Sequence, residues 1–273
     1  MYMKISDTEF IELVDYVKSN YGINLSQKRV LIESRLGHLL QEKGYDSYTK
    51  FLSDVMTGKQ GEAITILINR LTTNHTFFLR EWEHFKYLQT NIIPYWKKNV
   101  ADKDIRIWSA GCSTGEEPYT LAMLMNDEFA HEKMLWDTKI LATDISQRAL
   151  NIAQNGRYES DHLENISNEW KDKYFVRVDN ENYEVKDTIK EQVIFGSINL
   201  MDKSYPFKKK FHLILCRNVM IYFDADTKRN LVNHFYDILE DGGYLFIGHS
   251  ESISRDDTGF SYVQPAIYKK VRG

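Results

Sequence analysis

The sequence predicts an α/β protein: a doubly wound parallel sheet, preceded by a small all-helical domain and interrupted by a small β excursion. Two changes of pattern along the 273 residues carry that reading. Up to about residue 98 the apolar residues recur at helical spacing; from residue 105 they collect into short β-branched and aromatic runs separated by amphipathic stretches. Runs of that kind fit strands buried on both faces, and their alternation with helices implies a parallel sheet.

Ser6 and Glu9 have the spacing of a capping box, Phe10, Val14, Val17 and Tyr21 follow on one helical face, and Gly22 ends the run. A second helix is expected over residues 26–43, with Ile32, Leu36, Leu39 and Leu40 on one side and Gly44 as its stop. Shorter helical patterns cover 47–56, 62–71 and 83–98. Strands are expected at 105–110, 139–143, 192–196, 211–216 and 243–248, with a closing hairpin at 260–263 and 266–271. Between them, β-like pieces at 174–178 and 182–185 suggest a β subdomain at about 172–194. This gives a division into 1–80, a connecting helix at 81–98, and 99–273.

Composition excludes several classes. Thirty-five Lys and Arg against 39 Asp and Glu leave a net charge of −4, which argues against a general binder of nucleic acid or anionic membrane. No stretch approaches the roughly 18 apolar residues of a membrane helix, and the start is charged, so a cytoplasmic protein without membrane insertion is expected. Cys112 and Cys216 are too far apart for a CxxC metal site and too few for a disulfide scaffold. His234 and His249 lack neighbours at metal-ligand spacing, and no metal is expected. Trp82, Trp96, Trp136 and Trp170 read as packing residues, and Lys208 to Lys210 as a solvated loop.

The first strand runs into AGCSTGEEPYT at 110–120, and a helix follows. Strand, glycine turn and helix form the nucleotide site of open α/β sheets, but Gly111 and Gly115 are spaced GxxxG and no GK[ST] follows. Glu116 and Glu117 in the first helical turn would oppose a pyrophosphate and favour a cation, although acids there are also ordinary helix starters. S-adenosylmethionine, with its ammonium and sulfonium and no phosphate, fits that sign. Asp144 ends the second strand, where such sites place a carboxylate for ribose hydroxyls; it is equally suited to cap the next helix.

Taken together, TTNHTFFLRE at 72–81, WSAGCSTGEEPY at 108–119, ATDI at 142–145, Asn199-Leu200, CRNVMIYF at 216–223 and GHSE at 248–251 resemble the chemotaxis receptor glutamate methyltransferases of the CheR type. The resemblance runs over nearly the whole chain. It implies a class I S-adenosylmethionine-dependent methyltransferase domain with a helical N-terminal domain that docks the receptor. By the same resemblance, Asn74, Thr76 and Arg80 close over the cofactor, while Gly111, Glu116, Asp144, Asn199, Leu200, Arg217 and Asn218 line the rest of its site. Glu116 is the favoured loop acid because it lies at the turn, with Glu117 as the alternative. Arg80 and Tyr222 would stand nearest the transferring methyl. Residues 172–194 carry no recognisable signature for docking a receptor's C-terminal pentapeptide.

Methyl transfer to a glutamate needs no general base, because the carboxyl, with a pKa near ~4.3, is already ionised. The implied partner is the cytoplasmic helical coiled coil of a methyl-accepting chemotaxis receptor. Its acidic surface would meet Lys28, Arg29 and Arg35 on the second helix. The competing readings are a methyltransferase for another acceptor and a non-catalytic adaptor that senses S-adenosylmethionine.

Overall fold

Ser6 opens the first helix as its spacing to Glu9 predicts: its hydroxyl accepts the Glu9 N–H at 3.3 Å while the Glu9 carboxylate accepts the Ser6 N–H at 3.0 Å. The structure is a computed structural model that describes residues 3–57, 61–71, 75–254 and 258–271. Helix α1 (Asp7–Tyr21) stops at Gly22, whose φ of 72° is the left-handed conformation that glycine adopts without strain. Helix α2 (Arg29–Glu42) starts three residues later than expected. Ile23 is held in a bridge to Phe223, and the turn that follows is closed by the Asn24 side chain accepting the Ser26 N–H at 3.1 Å. With α3 (Tyr48–Thr57) and α4 (Gly61–Leu71) these helices bury Leu13, Val17, Ile32, Leu36, Phe51 and Leu52 in a core of their own.

The helix expected at 83–98 is present but not regular. It runs as α5 (Glu83–Tyr87), a π-helical turn Leu88–Ile92, and α6 (Ile93–Asn99). Pro94 has no N–H to donate and its ring crowds the preceding turn, and a wider turn resolves both problems.

The main sheet contains β1 (Ile107–Ala110), β2 (Ile140–Asp144), β6 (Val193–Ser197), β7 (Phe211–Cys216), β8 (Leu239–Ile247), β9 (Phe260–Gln264) and β10 (Ile267–Lys270). Their order is β6-β2-β1-β7-β8-β10-β9. The five strands from β6 to β8 are parallel, and β10 and β9 add an antiparallel edge. Successive residues of β1 bury opposite faces: Ile107 packs with Ala142, Leu213 and Met123, whereas Trp108 packs among Phe211, Phe235 and Tyr205. Helices α7 (Glu116–Glu128), α8 (Gln147–Asn155) and α11 (Ala225–Ile238) connect the strands.

A second, antiparallel sheet of three strands is ordered β3-β5-β4, from β3 (Arg157–Glu159), β4 (Phe175–Arg177) and β5 (Asn182–Val185). Two of its strands coincide with the expected β-like pieces. The third, β3, was not among the expected pieces; its Arg-Tyr-Glu sequence carries one apolar residue between two charges and no β-branched residue. Short helices α9 (Asn168–Tyr174) and α10 (Asp187–Lys190) complete this insertion. No helix among the described residues is long and apolar enough to cross a membrane.

Candidate active site

Strands β1, β2, β6 and β7 end at one edge of the sheet, where the strand order reverses between β1 and β7. Ligands of open α/β sheets sit at that place. A cleft of about 1120 Å³, counting its open mouth, lies there. Its walls come from the segment 75–80, the turn after β1, the ends of β2 and β6, the turn after β7, and three residues of the helical domain: Tyr21, Ile23 and Leu71.

The turn after β1 needs its glycines. Gly111 has φ 89°, and a Cβ on it would stand 2.5 Å from Val219; Gly115 has φ 99°, and a Cβ there would meet Ala153 and the Tyr158 hydroxyl at 2.9 Å. The first three amides of this turn are occupied. Gly111 and Cys112 donate to the Thr143 carbonyl at 2.8 and 2.9 Å, and Ser113 donates to the Asp144 carboxylate at 2.8 Å. The loop is thus fastened to β2 instead of forming a cradle of free N–H groups for a pyrophosphate.

Asp144 lines the cleft. Its carboxylate also accepts the Ser146 N–H at 2.8 Å, and each oxygen keeps a lone pair for a further donor. Burial pushes its pKa up, partly opposed by the backbone N–H groups of Ser146, Ser113 and Ile145.

Glu116 does not face the cleft, contrary to its expected role. Its side chain is fully buried and turned toward the small sheet, where it accepts from the Thr114 hydroxyl at 2.7 Å and pairs with His162 Nδ1 at 3.1 Å. Glu117, one residue and about 100° further round the helix, lines the cleft. It accepts from Ser109 at 2.6 Å and pairs with Arg217 at 2.7 Å. The two acids therefore do not present a bare double negative charge to the ligand, because one is turned away and the other is paired with a guanidinium.

Arg217 bridges two carboxylates with only 3% of its side chain exposed. Besides Glu117 it holds Glu81 at 3.1 Å and donates to the Arg80 carbonyl. Glu81 also accepts from the Asn218 side chain at 3.3 Å and the His249 N–H at 3.2 Å. Burial raises the Glu81 pKa, but Arg217 and these donors outweigh it and hold the carboxyl below its usual range. Leu79, Ser113 and Asn218, which line the cleft, and Glu81, which contacts Asn218, have φ between 50° and 63°. Such conformations persist in non-glycine residues only where surrounding contacts enforce them. Glu251 supplies one such contact: its buried carboxylate accepts N–H groups of Gly248, Asn218 and Ile221 at 2.6 to 3.0 Å and fixes the turn after β7.

Of the other expected cofactor residues, Thr76, Arg80, Gly111, Asn199, Leu200, Arg217 and Asn218 line the cleft, and Asn74 lies outside the described residues. Arg80 donates to the His75 carbonyl at 2.8 Å and Tyr222 is half-buried on the cleft wall. The helical domain holds Tyr222 in place: its carbonyl accepts the Asn24 N–H at 2.8 Å, and Lys18 pairs with Asp224 at 2.8 Å. Asn199 ties the same domain to β6 by donating to the Asn20 carbonyl at 2.7 Å.

The expected docking residues divide. Lys28 is exposed at the start of α2. Arg29 is engaged within the domain, pairing with Asp7 at 2.6 Å, donating to the Ile5 carbonyl at 2.9 Å and covering the Phe10 ring at 4.5 Å. Arg35 donates to the Arg70 carbonyl at 3.2 Å at the end of α4.

Two family models match: the CheR methyltransferase all-alpha domain over residues 8–72 and the CheR methyltransferase SAM binding domain over 74–268. A chemotaxis protein methyltransferase of Borreliella burgdorferi is 44% identical over 98% of this chain and 96% of its own length. The chain belongs to the CheR methyltransferase family. A probable chemotaxis protein methyltransferase of Rhizobium etli is 35% identical over 87% of the chain and 90% of its own length. Chemotaxis protein methyltransferase 1 of Pseudomonas aeruginosa is 33% identical over 96% of each.

The matched SAM binding domain contains most of the cleft's walls, and the residues present fit S-adenosylmethionine: Asp144 offers its carboxylate at the end of β2, and three amides of the loop are already taken. Sequence reading did not single out Glu81, Ser109, Tyr21 or Ile23 as site residues. Glu81 and Glu251 do sit inside the quoted family segments, but Tyr21 and Ile23 carry no local signal, since they reach the cleft only through domain packing.

His162 supplies a test of how the Glu116 side is held. Its pKa is raised by the hydrogen bond to Glu116, which outweighs burial. A raised folded-state pKa contributes stability that is fully present below the unfolded value of 6.5 and is lost as pH rises through the folded value. His162→Gln is therefore expected to lower Tm most at pH 5.5 and least at pH 9, read as the wild-type minus variant difference across that series. A difference that is flat with pH would exclude the charged pair.

Proposed function

We propose that this chain transfers the methyl group of S-adenosylmethionine to glutamate side chains of chemotaxis receptors, adjusting their signalling. The juxtaposition of Arg80 and Tyr222 on one cleft with Asp144 and the Arg217 network carries this reading. When bound, S-adenosylmethionine supplies a methyl group already activated by its sulfonium. Asp144 would hold the ribose hydroxyls, Glu117 and Arg217 the amino-acid end, and Thr76, Asn199, Leu200 and Asn218 the remaining surface, with Asn74 closing over it. Arg80 would orient the incoming glutamate carboxylate, and the Tyr222 hydroxyl would align the methyl. The apolar walls, Tyr21, Ile23, Leu71 and Phe223, exclude water from a reaction that converts charged reactants into a neutral ester and thioether.

We read residues 1–80 as the receptor-docking domain, 81–98 as the connecting helix and 99–273 as the catalytic domain in a cytoplasmic enzyme. The coiled-coil surface of the receptor would meet α2, with Lys28 as the exposed cation of the expected set. Because Arg29 and Arg35 hold the helical domain together, charge reversal at Lys28 is the cleaner test. Lys28→Glu is expected to raise KM for receptor severalfold at unchanged cofactor affinity.

The activity itself is measured by incubating receptor with methyl-labelled cofactor and recovering base-released label, since carboxyl methyl esters hydrolyse in base whereas N-methyl groups do not. Tyr222→Phe is expected to lower kcat about tenfold, the equivalent of one lost hydrogen bond of ~1.4 kcal/mol. Arg80→Ala is expected to lower kcat/KM by about 10- to 100-fold. Full activity in both variants would remove these residues from the site, and label stable to base would refute glutamate esterification.

A further inference from the structure

Behind the Arg217 network lies a cluster that the methyl transfer does not use. Glu81, His84 and His249 each offer a ligand atom, and these atoms all lie within 4.8 Å of one another. His84 stands three residues after Glu81, which puts both on one face of the turn entering α5, with Nδ1 3.6 Å from the Glu81 carboxylate. His249, from the loop after β8, brings its ring edge to His84 at a centroid distance of 4.7 Å and an interplanar angle of 84°. His84 is fully buried, and neither of its ring nitrogens has a hydrogen-bond partner. Buried polar atoms of folded proteins are ordinarily satisfied, so an imidazole left bare beside a carboxylate and a second imidazole asks for a ligand.

We propose that Glu81, His84 and His249 bind a Zn²⁺-class divalent cation, and that its binding opposes binding of S-adenosylmethionine. Two imidazoles and one carboxylate form a ligand set suited to zinc, cobalt or non-haem iron. Ligands at Zn–N and Zn–O distances of roughly 2.0–2.1 Å stand about 3.3 Å apart around a tetrahedral centre, so the side chains need shift by only about an ångström. His249 is exposed and gives the ion a path from solvent.

The opposition follows from Glu81. Its carboxylate is held by Arg217 at 3.1 to 3.3 Å and by Asn218 and the His249 N–H at 3.2 to 3.3 Å, contacts at or just past the long end of the ordinary range. Arg217 has a shorter hold on Glu117, at 2.7 Å, and a further one on the Arg80 carbonyl. A cation that takes Glu81 therefore displaces one arm of Arg217 without stranding the guanidinium. Arg217 and Asn218 both line the cleft, so loss of Glu81 frees two cofactor contacts. Linkage makes the effect mutual: cofactor must weaken the cation by the same factor. This coupling, unlike the metal site itself, rests on the cleft being the cofactor site.

Metal binding is read directly from the visible d–d absorption of Co²⁺ titrated into the full-length protein, and from competition by Zn²⁺ against a chromogenic chelator. One site per chain is expected, weakened at least about 10- to 100-fold in His249→Ala, which alters an exposed side chain. His84→Gln provides a second ligand deletion. Equal affinity in wild type and His249→Ala, or no Co²⁺ spectrum in the wild type, overturns the site. S-adenosylhomocysteine affinity, measured by calorimetry, is expected to fall severalfold with saturating Zn²⁺ in the wild type and to stay constant in His249→Ala. Constant affinity in both overturns the antagonism. Failure of S-adenosylhomocysteine to bind the metal-free wild type would instead count against the cofactor cleft, and the Co²⁺ titration would still decide the metal site.

Discussion

Arg217→Met is expected to destabilise the protein by about 3–5 kcal/mol and to abolish detectable binding of S-adenosylhomocysteine. The guanidinium stands between Glu81 and Glu117, whose side chains are each only 14% exposed. Methionine fills part of the volume but leaves two carboxylates facing each other with little water to screen them. Removal of one partner of a buried ion pair is costly for that reason, whereas removal of the whole set is often nearly neutral. Adding Glu117→Gln to Arg217→Met is therefore expected to restore roughly half the lost stability without restoring cofactor binding. Urea unfolding of the single and double variants measures both numbers. A loss under about 1 kcal/mol would mean that Arg217 does not neutralise the pair.

Asp144→Ala is expected to raise the dissociation constant for S-adenosylhomocysteine by at least about 100-fold. Two hydrogen bonds from hydroxyls to an ionised carboxylate are worth about 1.5 kcal/mol or more each, and the substitution also frees the Ser113 N–H that anchors the glycine turn. Asp144→Asn separates charge from shape. Burial raises the Asp144 pKa, and hydroxyl donors favour its ionised form, so wild-type affinity should fall as pH falls through that raised value. The asparagine variant should bind more weakly at pH 7.5 and lose that pH dependence. Calorimetric titrations from pH 7.5 down to the acid limit of folding test this, and parallel profiles for the two proteins would assign the dependence to another group.

Much of the fold was legible because it is local. The Ser6 capping box, the Gly22 stop and the five parallel strands each carry their signal within a few residues, as caps, left-handed glycines and apolar runs do. The cleft's glycine turn and Asp144 were legible in the same way, as strand ends followed by short motifs, whereas the Arg217-Asn218 pair came only with the family resemblance. The π-turn before Pro94 was not, because periodicity over so few residues cannot distinguish a five-residue turn from its neighbours.

The sequence by itself determined which segments are helices and strands, and which residue types stand at the carboxyl edge of the sheet. Only the tertiary structure decided which of two adjacent glutamates faces the cleft, that Arg29 and Arg35 serve the helical domain, and that Glu81 meets Arg217, 136 residues away, and His249, 168 residues away. The reason is physical. Backbone periodicity is a short-range property written into neighbouring residues, whereas the direction a charge takes depends on the partners that long-range packing brings to it and on how far that packing excludes water.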